Sequence, residues 1–149
     1  MLQPCVDAGE MQRAVQLLNA LRARGAPCSQ VGVATSPPLA WEPRLANTAG
    51  EHATDLAKRD EISHLDARQR GFKLRLASSG YDARAAGENL AVGQPDFATT
   101  LQSWVDSPVH CATLMTPAFS DVGLACVQRT GSRYERFWVA HLGVPQKRR

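Results

Sequence analysis

Residues 87–111 read GENLAVGQPDFATTLQSWVDSPVHC, and most of the architecture can be read outward from this span. Glu88-Asn89-Leu90-Ala91-Val92 is a short apolar run closed by Gly93, the pattern of a buried strand. Pro95 then opens a helix whose inner face is Phe97, Leu101, Trp104 and Val105. Ser107-Pro108 is a capping residue followed by a first-turn proline, so a second, short helix starts there and carries His110 and Cys111. It ends before Thr116-Pro117, because a residue preceding proline is pushed out of the helical region.

Upstream, Met11, Ala14, Val15, Leu18 and Leu21 recur at three- and four-residue steps, which predicts an amphipathic helix over 9–24 stopped by Gly25 and Pro27. Residues 28–38 read as a loop. A helix over 43–59 begins at Pro43 and turns Leu45, Ala49, His52, Ala53 and Leu56 inward. A weaker helix covers 68–79, with Phe72 and Leu76 inward and Gly80 as its stop. Downstream the period changes to two. Val122, Leu124 and Cys126 alternate with Gly123, Ala125 and Val127, a turn follows at Thr130-Gly131-Ser132, and 134–142 is rich in aromatic and β-branched residues. Trp41, Trp104 and Trp138 are expected as core anchors, and Tyr81 as a packing residue with a place on the cavity rim as the alternative. No repeat or interior linker interrupts the pattern, so the expectation is a single α+β domain over 1–149 with its core in about residues 10–145.

Of the 149 residues, 44% are hydrophobic and 21% charged, the balance of a soluble globule. No apolar run approaches the roughly 20 residues of a membrane helix. The net charge of +3 owes much to Lys147-Arg148-Arg149, which reads as a solvated tail. No basic helix interleaved with aromatics suggests nucleic-acid binding, and no heptad or exposed apolar stripe argues against a monomer. The four cysteines form two pairs local in sequence, Cys5 with Cys28 and Cys111 with Cys126, and none lies in a C-x-x-C motif. Two disulfides on that pairing would contribute about 3 kcal/mol each and imply a secreted, extracellular or periplasmic setting. The first pair faces a geometric test: a helix over 9–24 is about 24 Å long, so both flanks must run back along it. Residues 1–5 contain no charged segment followed by an apolar one, so the expected export signal is absent from these residues.

Several further pieces occur in a fixed order: Pro38-Leu39-Ala40-Trp41, His52-Ala53-Thr54-Asp55-Leu56-Ala57, Ser63-His64, Gly80-Tyr81, Gly87 to Gly93, Trp104 to Cys111, Phe119 to Cys126, and Phe137-Trp138-Val139. In this order the chain resembles the CAP superfamily (cysteine-rich secretory proteins, antigen 5 and pathogenesis-related 1 proteins), in its bacterial SCP-like branch. The resemblance implies a three-layer α-β-α sandwich with a central antiparallel sheet. It also implies a shallow cavity lined by two histidines and two acidic residues, in which the histidines bind a divalent metal. The Ser-His position falls on His64, the G-E-N position on Glu88 with Asn89 beside it, and the histidine after the tryptophan helix on His110. The second acidic position is open: Ser107 stands in register and Asp106 one residue early.

Spacing alone does not bring His64, Glu88 and His110 together. If they converge, two neutral imidazoles can hold Zn²⁺ or another divalent metal at about 2.0–2.1 Å, more weakly than the three ligands usual in catalytic zinc proteins. Occupancy then depends on pH, since both rings must be unprotonated. Glu88 would orient a histidine or act as a general base. The plainer reading is that the three bond to one another and pin helices to the sheet. His52 reads as a satisfied core histidine, with support of His64 as the alternative. His141 reads as structural or exposed, and Asn89 as a partner of loop backbone. No Gly-x-Ser-x-Gly elbow or phosphate-binding loop is present. The expected function is a non-enzymatic module binding a small ligand, a lipid or an extracellular protein, with a weakly bound divalent metal at His64 and His110. The alternatives are a peptidase-like, metal-dependent hydrolase with Glu88 as base, and an interaction domain whose cavity is only structural.

Overall fold

The computed structural model describes residues 1–28 and 34–147. Part of the expected loop over 28–38, and the last two residues of the basic tail, lie outside the described residues. The elements are β1 (Leu2–Pro4), α1 (Ala8–Arg24), β2 (Ala40–Trp41), α2 (Pro43–Arg59), α3 (Phe72–Ala77), β3 (Ala83–Val92), α4 (Phe97–Val105), α5 (Pro108–Met115), β4 (Asp121–Arg129) and β5 (Arg136–Pro145). The sheet runs β1-β4-β5-β3 with antiparallel neighbours, and the two-residue β2 adds in parallel to the start of β4.

β5 is buried continuously from Phe137 to Val144, so helices cover both faces of the sheet. Its side chains alternate between the two layers. Phe137 and Val139 pack with Ala49, Ala53 and Leu56 of α2. Trp138, Ala140 and Leu142 pack with α1, α4 and α5 through Leu18, Leu101 and Leu114. This is the three-layer α-β-α arrangement. Gly123 of β4 faces α2, and a Cβ there would lie 2.1 Å from the Ala46 nitrogen, so the absence of a side chain lets the helix backbone touch the sheet. Local chemistry sets the helix ends. Asp7 and Glu10 form a capping box at α1, and Pro43 begins α2.

Three expectations need correction. The disulfides are Cys5–Cys126 and Cys28–Cys111, with Cα separations of 5.2 and 5.3 Å, and not Cys5–Cys28 and Cys111–Cys126. The N-terminal segment does not fold back along α1. It runs as β1, pairing Pro4 with Val127, and the Cys5 N–H donates to the Cys126 carbonyl at 3.0 Å. The 17 residues of α1 then carry the chain about 25 Å away before Cys28, which meets α5 instead. The helix expected over 68–79 is confined to Phe72–Ala77. The Asp66 carboxylate accepts the backbone N–H groups of Arg68 and Arg70, and this local turn competes with helix for the same donors. Trp41 is 42% exposed on the marginal strand β2, whereas Trp104 and Trp138 are core residues as expected.

Candidate functional site

Glu88 lies in β3 directly opposite His141 of β5, and its side chain is 2% exposed. The pairing register therefore places a carboxylate beside an imidazole, and His141 Nε2 donates to Glu88 Oε2 at 2.7 Å. On the far side of that ring, Nδ1 lies 2.7 Å from the Thr48 hydroxyl of α2. With the ring neutral, Nε2 donates to Glu88 and Nδ1 takes the single Thr48 hydroxyl proton, which otherwise goes to the Leu45 carbonyl at 3.0 Å. Burial favours this state and lowers the pKa of His141. Glu88 Oε1 accepts from His64 Nδ1 at 2.7 Å and from Arg75 Nη2 at 3.0 Å. Arg75 Nη1 also lies 3.0 Å from Oε2, an ion-pair contact outside hydrogen-bond geometry. Burial by itself would raise the Glu88 pKa. The hydrogen bonds from His141, His64 and Arg75 together overcome it, holding the carboxyl well below the usual range and ionised.

His64 sits on the segment between α2 and α3 with its side chain 61% exposed. The hydrogen bond to Glu88 raises its pKa against the opposing effect of burial. Two contacts hold this segment in place. His52 of α2 donates from Nε2 to the Ser63 carbonyl at 2.7 Å, and Arg75 donates to the His64 carbonyl at 2.7 Å. His52 is thus a buried residue that fixes the backbone next to His64, and burial lowers its pKa.

His110 occupies the first turn of α5. Ser107 is at the helix N-cap, but its hydroxyl makes no capping hydrogen bond and lies instead 2.8 Å from His110 Nδ1. The Asn89 amide reaches from β3 to the His110 carbonyl at 3.0 Å, a bond to helix backbone where loop backbone was expected. Gly87 lets α5 approach, since a Cβ there would lie 2.8 Å from Thr113 Cγ2. Burial lowers the His110 pKa, and the charge of His64 lowers it further. Asp106 is turned to Gln102 at the end of α4, leaving Ser107 as the residue that contacts His110.

His64 and His110 are thus each held through Nδ1, and Nε2 of each makes no hydrogen bond among the described residues. A ligating histidine has this arrangement when Nδ1 is the donor, as it is toward the Glu88 carboxylate and would be toward the Ser107 hydroxyl in the matching tautomer, with Nε2 then available to a metal. Among the described residues no group of three or more His, Cys, Asp or Glu side chains is placed to hold a metal. Any metal here would rest on two imidazoles, with the rest of its shell from outside the protein.

Reading the sequence did not identify Arg75, Thr48 or His141 as parts of this cluster. Arg75 shares a helix face with Phe72 and Leu76, a spacing visible in the sequence. His141 is fully buried against Glu88, and only the β3–β5 register makes that pairing apparent.

The fold and these residues define a CAP-type domain, and comparison with known proteins agrees. Residues 15–142 match the family model "CAP: Cysteine-rich secretory protein family", and the chain belongs to that family. YkwD of Bacillus subtilis (strain 168) is 24% identical over 91 residues, which span 61% of this chain and 35% of that protein. An extracellular protein containing an SCP domain from Bacillus anthracis str. Ames has a TM-score of 0.72 at 25% identity, covering 91% of this chain and 40% of that one. An outer surface protein from Borrelia burgdorferi superposes with a TM-score of 0.78 at 18% identity, covering 98% of this chain and 100% of that one. The chain therefore spans well under half the length of the two Bacillus proteins.

Proposed function

We propose that this domain works outside the cytoplasm as a ligand-binding module, with a divalent metal held by Nε2 of His64 and Nε2 of His110. The observation that carries this reading is the shared pinning of both rings through Nδ1, by Glu88 and by Ser107. Two disulfides support an oxidising compartment, as do relatives described as extracellular and as an outer surface protein. Among the described residues no helix is long and apolar enough to cross a membrane. The donor set suits Zn²⁺ or a similar borderline ion, which when bound would supply a positive Lewis-acidic centre for an oxygen of the ligand.

Glu88 serves this reading as the group that sets the His64 tautomer and orientation. The hydrolase reading has less support. A general base works best with a pKa near the operating pH, whereas Glu88 is driven far below it and both its oxygens are engaged. Calorimetric titration with Zn²⁺ at neutral pH tests the proposal. Wild type is expected to bind one ion, and His64→Ala or His110→Ala to weaken binding by at least about tenfold. Heats unchanged by either substitution would remove the two-histidine site.

A further inference from the structure

From the outer edge of β3 we infer a second binding surface, one that takes an extended peptide segment of a partner protein as an added strand, independently of any metal. Among the described residues β3 is the last strand of the sheet and pairs only with β5. Its Leu90 carbonyl accepts the Trp104 indole N–H at 2.9 Å, so that peptide group faces away from β5. Backbone groups alternate in direction along a strand, so those of Ala86 and Glu88 point outward as well. Neither residue uses its backbone N–H or C=O in a turn, cap or side-chain hydrogen bond among the described residues. Glu88 as a whole is half-buried although its side chain is only 2% exposed, so its exposed part is main chain. Further along, α4 covers this edge at Leu90, which leaves Ala86 and Glu88 as the open portion.

Beside the open edge lies a groove of about 640 Å³ whose apolar wall includes Phe72, Leu76 and Tyr81. Lys73 and Arg84 line it against a single acidic residue, Asp82. An edge with alternating unpaired donors and acceptors is matched by another peptide backbone, and side chains of alternate residues then enter the neighbouring groove. The groove's apolar wall and net positive lining select a segment whose groove-facing residues, every second one along the strand, include both apolar and acidic side chains.

The probe is an acetylated and amidated octapeptide repeating Val-Thr-Glu-Thr, which brings valine and glutamate to the same face, with amide hydrogen exchange as the readout. Saturating peptide is expected to protect the Ala86 and Glu88 amides at least about tenfold. A version N-methylated at every residue should give no protection, because neither of its edges can donate to β3. Lys73→Glu with Arg84→Glu, both exposed positions, should weaken binding by about tenfold at low salt. The same protection is expected in EDTA. No protection by peptide at about 1 mM would overturn the inference. So would equal binding of the N-methylated peptide, or protection that appears only with Zn²⁺, which would assign the peptide to the proposed metal at His64 and His110. Failure here leaves the Zn²⁺ titration unaffected, since that experiment contains no peptide.

Discussion

At Glu88 a carboxylate with almost no solvent contact is balanced by the Arg75 guanidinium and held by His141 and His64. Arg75 is itself only 8% exposed and also donates to the carbonyls of His64 and Arg70. Removing one partner of such a buried pair leaves an uncompensated charge, which costs much more than the pair's net contribution. Arg75→Ala should therefore destabilise the protein by about 3–5 kcal/mol in urea denaturation. A loss below about 1 kcal/mol would mean the pair behaves like an exposed one and that Glu88 is not the buried hub described. In the sequence, the charge on Arg75 hid its position on the same face as Phe72 and Leu76. The expectation for His141, structural or exposed, held no hint of its contact with Glu88, because a strand's partner is set by register and not by its own residues.

Among the elements, α5 is the one whose placement matters most to the two-histidine proposal, because it carries His110. It is tied at several points. Asn89 holds its first turn to β3, and Cys28–Cys111 links it to the segment after α1. Arg22 of α1, fully buried, donates to the Leu114, Thr116 and Phe119 carbonyls at its C-terminal end. That buried cation, without a carboxylate partner among these contacts, suits the negative end of the helix dipole. Replacing both cysteines, Cys28→Ser with Cys111→Ser, should cost about 2–5 kcal/mol and speed amide exchange through α5. An unchanged unfolding midpoint would show that the non-covalent ties suffice. The helices and strands themselves were legible: α2 and α4 follow a helical apolar period, β4 alternates, α5 shows in its Ser-Pro start, and β5 in its aromatic and β-branched composition. The cysteine pairing was not, because it depends on β1 pairing with β4 and on the distance spanned by α1. The start of α3 was missed because the Asp66 turn makes a local claim on backbone donors that periodicity does not register.

For the whole molecule, the buried histidines set the response to acid. His52 and His141 are 1% and 0% exposed and have lowered pKa values, chiefly through burial. The unfolded chain takes up protons on them below about pH 6.5 while the folded chain does not, so stability falls as pH drops through that value. Each contributes a slope of up to about 1.4 kcal/mol per pH unit. Glu88, with its pKa lowered, adds stability that is present above about pH 4.5 and is lost on further acidification. His64, with its pKa raised, contributes below about pH 6.5 and loses that contribution as pH rises through its folded value. Urea midpoints measured from pH 8 to pH 4 should fall steeply below about pH 6.5, and a flat profile from 6.5 to 5 would contradict neutral burial of His52 and His141. The metal reading has its own direct test. In a Zn²⁺-soaked crystal, anomalous scattering should show one peak about 2.0–2.1 Å from both His64 Nε2 and His110 Nε2, with Nδ1 of each still bonded to Glu88 and Ser107. No peak there, or a peak bound through Nδ1, would contradict the account.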